Sequence, residues 1–139
     1  MAMHKSARRW LIAVIAFLSA YPVTVLSYVY WHTLNSDMPG RRHGPQDAYR
    51  HTLARAFVAY TLSPAVVALV TRVTESDGSA DGAMDSHNNA IGARIGAAAT
   101  AFSQINERVL EQVRGGRVDA LDPQQTTWLP PERWSGLPI

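Results

Sequence analysis

Residues 46–62 read QDAYRHTLARAFVAYTL, and the period of this stretch decides the fold class. Leu53, Ala56, Phe57 and Tyr60 recur at i, i+3, i+4 and i+7, the spacing of an apolar helix face. The first turn of the same helix is polar: Asp47, Arg50 and His51 stand at i, i+3 and i+4 and share a face. A buried polar group costs about 1–3 kcal/mol unless it is hydrogen-bonded, so this cluster calls for a partner. Met84-Asp85-Ser86-His87-Asn88-Asn89 offers one. Asp85, Asn88, Asn89 and Gly92 repeat the pattern at i, i+3, i+4 and i+7, and two helices with matching polar turns can meet there.

Toward the N-terminus, residues 35–45 hold Asn-Ser-Asp, Pro39-Gly40 and Gly44-Pro45 and read as a linker. Before them Trp10 to Trp31, WLIAVIAFLSAYPVTVLSYVYW, carries no charge. As a helix it would rise roughly 33 Å, enough to cross a hydrocarbon core. Lys5, Arg8 and Arg9 precede it, and Trp10, Tyr28, Tyr30 and Trp31 mark its ends as interfacial aromatics do. The apolar run exceeds the usual h-region of a signal peptide, and no good small-x-small cleavage site follows it. Residues 1–34 are therefore expected to be a cytoplasmic tip and an uncleaved signal anchor. The positive-inside rule puts the remainder outside the cytoplasm. Secretion after signal cleavage is the competing reading. Pro22 would kink the span near its middle, which membrane helices tolerate.

Toward the C-terminus, Ser63-Pro64 is an N-cap followed by Pro at the first helical position. A second helix is expected from Pro64 to about Ser76. Residues 56–71 lack charge, so a second membrane span is the alternative, but a stretch broken by Pro64 is short for one. Asp77 to Gly82 reads as a flexible polar loop. The Met84 helix continues through Gly92, Gly96 and a run of alanines that permit close helix approach. Ile105 to Arg114 is amphipathic and stops at Gly115-Gly116. Residues 117–139 hold four Pro with Trp128 and Trp134, which reads as an extended tail lying over the domain or on a partner.

The 139 residues suffice for one domain. There is no Cys, which excludes disulfides, thiolate metal sites and Cys nucleophiles. Through residue 55, seven Lys/Arg face Asp37 and Asp47, a net of +5; from residue 56, six Arg face nine Asp/Glu, a net of −3. The globular part has no Lys/Arg-rich patch with interleaved aromatics, so no nucleic-acid partner is expected. The membrane is the expected partner. A protein partner could bind through the C-terminal tail or the Gly92/Gly96 helix face.

The clusters suggest chemistry at one site. A carboxylate from Asp47 or Glu75 would orient His51 and raise its basicity as a general base. Asp85, His51 and Glu75, with an Asn carbonyl, could instead ligate a divalent metal, although the spacing matches no compact metal motif. Arg50 suits a phosphate or carboxylate, or pairs with Asp47. The alternative is structural: Asp47 caps its helix, Arg50 pairs with it, and Asn88 and Asn89 lock two helices together. His87 and Arg55, taken singly, read as solvated surface. Ser63 and Ser86 lack a nucleophile-elbow context, so no Ser hydrolase is expected.

The ordered pair D-A-Y-R-H at 47–51 and M-D-S-H-N-N-A-I-G at 84–92 resembles a poorly characterised helical bacterial domain with D-A-F/Y-R-H and M-D-x-x-N-N-x-x-G signatures. That domain is found in small envelope-associated proteins and at the ends of large secreted, toxin-like ones. The resemblance spans roughly residues 45–116. It implies a shared site at Asp47, Arg50, His51, Asp85, Asn88, Asn89 and Gly92, with Glu75 a looser match, and names no reaction. The resemblance makes the expected membrane the bacterial inner membrane and the far side the periplasm, and an N-terminal anchor sets this short chain apart from the toxin-like members.

The expected architecture is all-α: a transmembrane helix, a linker at 35–45, a bundle of three to four helices over 46–116 with a polar site, and an extended Pro/Trp tail. The expected function is hydrolysis of an envelope phosphoester, lipid or glycan. The alternative is a non-catalytic, membrane-tethered interaction module.

Overall fold

A computed structural model describes residues 5–74 and 80–136. The chain is all-α. Helix α1 runs Lys5–Leu34, α2 Pro45–Thr61, α3 Pro64–Thr74, α4 Ala80–Ala98 and α5 Gln104–Arg114. Two-residue strands β1 (Arg117–Val118) and β2 (Thr127–Trp128) pair in parallel, and a 3₁₀ turn follows at Pro131–Arg133.

Helix α1 is long and apolar enough to cross a membrane. Its most apolar 18-residue window has a mean hydropathy of 2.0 and is 6% buried. Among the described residues, its packing on the bundle comes from its C-terminal half. Val25 and Val29 enter the core, Tyr28 packs on Phe57 at 5.2 Å between ring centroids, and the Tyr21 hydroxyl meets Thr61 Oγ1. Since Tyr21 meets Thr61 at the end of α2 and Tyr28 packs on Phe57 one turn before it, the two helices run antiparallel.

The core forms where the apolar face of α2 (Leu53, Ala56, Phe57) meets Ile105, Val109 and Val113 of α5. Ser63 caps α3, its Oγ accepting the Val66 N–H at 3.3 Å. Helix α4 packs on α2 through its glycines. A Cβ on Gly92 would lie 2.4 Å from the Thr52 carbonyl oxygen, and one on Gly96 2.2 Å from that of Ala56. The Gly92/Gly96 face, expected as a partner surface, is thus consumed inside the chain.

Two other expectations change. The polar loop over 77–82 is shorter, because α4 already includes residues 80–82; residues 77–79 lie outside the described ones. The linker at 35–45 is packed: Met38 and His43 are buried, Gln46 N donates to Pro39 O at 3.1 Å, and Arg114 pairs with Asp37 at 3.1 Å. That guanidinium holds the Asp37 carboxyl below the usual carboxylate range, chiefly through its hydrogen bond. The tail lies on the domain, the first of the two placements expected for it. Thr126, Thr127 and Leu129 are buried, and Leu129 N donates to His43 O at 2.9 Å. Trp134 Nε1 donates to Leu129 O at 2.7 Å, which makes this Trp an anchor of the tail.

Candidate functional site

The site grows from the start of α2. Gly44 is the N-cap and Pro45 the first helical residue, a position where the missing N–H costs nothing. Asp47 then sits in the first turn, where the helix dipole favours a carboxylate. It is 1% exposed. A buried carboxylate must be compensated, and here both oxygens are engaged. Oδ2 accepts the His43 backbone N–H at 2.8 Å, and Oδ1 accepts from Arg50 Nη2.

Against this turn stands the matching turn of α4. His51 Nε2 lies 3.6 Å from Asp47 Oδ1 and 3.7 Å from Asp85 Oδ2, so one imidazole nitrogen faces two carboxylates from different helices. One turn further along, Arg55 Nε donates to Asn89 Oδ1 at 3.1 Å. One turn back, His43 Nε2 lies 3.5 Å from Asp81 Oδ2, with Arg133 Nη2 on the other oxygen of Asp81 at 3.9 Å. Residues 43, 51 and 55 thus meet 81, 85 and 89 in the same order, so α2 and α4 run parallel. Their seam is polar at the start and glycine-lined beyond.

Of the expected residues, Asp47, Arg50, His51, Asp85 and Asn89 come together, and Gly92 makes their closeness sterically feasible. Glu75 lies outside the described residues. Asn88 belongs elsewhere: its Nδ2 donates to Thr127 O at 2.8 Å and its Oδ1 accepts the Thr127 N–H at 3.0 Å. This reciprocal pair ties α4 to β2 and is structural. His87 is not solvated surface either, since its Nε2 lies 2.7 Å from Gln125 O. A carbonyl can only accept, so Nε2 carries the proton in that contact. Arg55 also leaves the surface class through its bond to Asn89.

Sequence reading missed His43 and Asp81. His43 is 7% exposed and holds φ at +72°, a conformation that costs a non-glycine residue about 1 kcal/mol or more and persists only when its surroundings enforce it. Its N–H to Asp47 and its carbonyl to Leu129 do so. The available signal was spacing: His43, Asp47 and His51 are four residues apart, which continues one helix face past Gly44-Pro45.

Beside the polar seam lies a cleft of about 580 Å³ between α1, α2 and α3. Val25, Val29, Val58 and Val66 line its walls, and Arg50, His51 and Arg55 line it as well.

The side chains that could hold a cation are Asp47, His51 and Asp85, whose ligand atoms lie within 4.8 Å of one another. Ligands about 2.1 Å from a metal stand on the order of 3–3.5 Å apart, so modest closure of this set would suit one divalent ion. Asp47, and not the expected Glu75, completes the set among the described residues. Arg50 on Asp47 Oδ1 would compete with the ion for that oxygen.

Comparison with protein-family models, with curated proteins and with solved structures finds no match for this chain.

Proposed function

We propose that this chain is a membrane-anchored hydrolase of a phosphoester in the bacterial cell envelope, with its helical domain on the periplasmic face of the inner membrane. The observation that carries the reading is the placement of His51 Nε2 between Asp47 and Asp85, beside two arginines and at the edge of an open cleft. A merely structural lock would leave no imidazole poised at a cavity. The two clusters lend support, since Asp47, Arg50 and His51 of the first and Asp85 and Asn89 of the second converge on one seam.

In this mechanism water enters beside His51. The carboxylates that face Nε2 can only accept, so Nε2 carries a proton, and His51 Nδ1 takes the proton of the water while the water oxygen attacks phosphorus; Asp47 and Asp85 stabilise the imidazolium that forms. The ester P–O bond breaks, and the imidazolium returns the proton to the leaving oxygen. Arg50 and Arg55 offer planar guanidinium forks to the phosphoryl oxygens. A divalent ion held by Asp47, His51 and Asp85 would make His51 a ligand and not the base, and would supply charge stabilisation at the phosphoryl group.

The test is turnover of a panel of phosphomonoesters and phosphodiesters by the purified full chain, with and without EDTA, beside His51→Ala. Hydrolysis by the native chain, lost in the variant while its melting curve is retained, is expected. No turnover across the panel, or turnover that survives His51→Ala, sinks the reading. A second reading, a non-catalytic tethered module, draws on the Asn88–Thr127 pair, which is a lock and performs no chemistry. It predicts that His51→Ala destabilises the fold as Asn88→Ala does.

A further inference from the structure

Helix α1 and the bundle overlap in a way that bears on what enters the cleft. A hydrocarbon core of about 30 Å takes roughly 20 helical residues, so a span that begins at Trp10 ends near Val29. The α1 wall of the cleft, from Tyr21 to Tyr30, therefore lies within the last half of the span and at its exit. Helix α2 runs antiparallel beside it. Its C-terminal end, with Thr61, sits at the depth of Tyr21, and its first turns, with Arg50 and His51, sit at the exit.

The end of the bundle that this places inside the leaflet is suited to it. Residues 56–71 and 95–106 contain no Asp, Glu, Lys or Arg. Tyr60, Leu62, Leu69 and Phe102 are exposed there, Leu69 at 63%. Exposed apolar groups of this kind mark a membrane or protein contact, and their continuity with the span favours the membrane.

We infer that the cleft between α1, α2 and α3 takes the hydrocarbon chain of a phosphate-headed lipid from the bilayer, with the phosphate at Arg50 and Arg55 beside His51. The apolar walls formed by Val25, Val58 and Val66 match an acyl or isoprenoid chain. The two guanidinium groups lie at headgroup depth and match an anionic phosphate in charge and geometry. The cleft's volume of about 580 Å³ is within the range of ligand pockets. This inference rests on the hydrolase reading of the same site and names its substrate class as lipid phosphates.

The experiment uses the full chain in nanodiscs of phosphatidylcholine doped with phosphatidic acid that carries a photoactivatable diazirine in its acyl chain. Adducts are mapped by peptide mass spectrometry. Labelling of Ala54, Val58 and Val66 is expected, competed by unlabelled phosphatidic acid. A phosphatidylcholine probe should label them far less. Arg55→Gln should weaken labelling roughly tenfold through loss of a charge-assisted bond, and Val66→Trp should block it.

Adducts confined to Leu69 and the outward face of α1, or equal labelling by both probes, overturn the lipid site. So does competition by soluble glycerol phosphate as strong as that by phosphatidic acid, which would mean that the polar end takes free phosphate without a chain. Because the two probes are compared on the native protein, the result does not depend on the variants folding. Cleft labelling without turnover would keep the lipid site and remove the hydrolase. Turnover of a soluble phosphoester without cleft labelling would do the reverse.

Discussion

Gly92 sits against Thr52 so closely that a Cβ on the glycine would come within 2.4 Å of the Thr52 carbonyl oxygen. Backbone cannot yield as a flexible side chain can, so Gly92→Ala must push α4 away from α2. Although Ala is the better helix former by about 1 kcal/mol, the variant should lose roughly 1–3 kcal/mol through overpacking. It should also part His51 from Asp85, about two turns back along α4. Thermal melts check the first effect, and loss of activity exceeding the loss of folded protein checks the second.

Asn88→Ala should destabilise by about 2–3 kcal/mol, since it leaves both the N–H and the carbonyl of buried Thr127 without their amide partner. The same change should release β2 and expose residues 117–130 to protease. Limited proteolysis of the native chain and the variant, with the cut sites mapped, reads this directly. Equal cutting of both would mean that the tail is held by other contacts.

His51→Ala and Asp47→Ala should part company. His51 is half-buried at the cleft, so its removal should cost less than about 1 kcal/mol, in line with other substitutions away from the core, while abolishing turnover. Asp47 is buried with Arg50 and the His43 N–H on its oxygens, and its removal should cost about 3 kcal/mol by stranding them. A chelator-sensitive melt of the native chain, absent in Asp85→Ala, would add a metal to the site through binding linkage.

The Tyr49 phenol donates to Asn106 Oδ1, and its pKa is pushed up to about 12, first by burial and then by Tyr28. A raised acid in the folded state means that the unfolded chain gives up this proton more readily. The associated stability is whole below the unfolded value near 10 and drains away as pH rises through about 12. Alkaline titration followed by tyrosinate absorbance should therefore show one phenol that ionises only with unfolding. Tyr49→Phe should remove that late step and cost about 1 kcal/mol at neutral pH, the worth of a hydrogen bond.

Much of the fold was legible because local period and punctuation carry it. The i, i+3, i+4 face over 53–60, Ser63-Pro64 and Gly115-Gly116 set the helices α2, α3 and α5 to within a residue or two at the ends that are described. The candidate site was half legible. Asp47, Arg50, His51, Asp85 and Asn89 could be named because polar groups on an otherwise apolar helix stand out. Asn88 was indistinguishable from Asn89 in sequence, although the two side chains serve different ends. His43 hid in a Gly/Pro-rich segment that resembled a linker, because a buried irregular segment and an exposed one have the same composition.

By itself the sequence determined an all-α chain with one helix long and apolar enough to cross a bilayer, since helical period, caps and hydropathy are properties of neighbouring residues. Only the tertiary structure decided the parallel seam of α2 on α4, the pairing of His43 with Asp81 and of His51 with Asp85, and the cleft against α1. Those depend on how far two helices can approach and in which direction they run. Here Gly92 and Gly96 fix that approach against backbone oxygens dozens of residues away, a contact that no periodicity encodes.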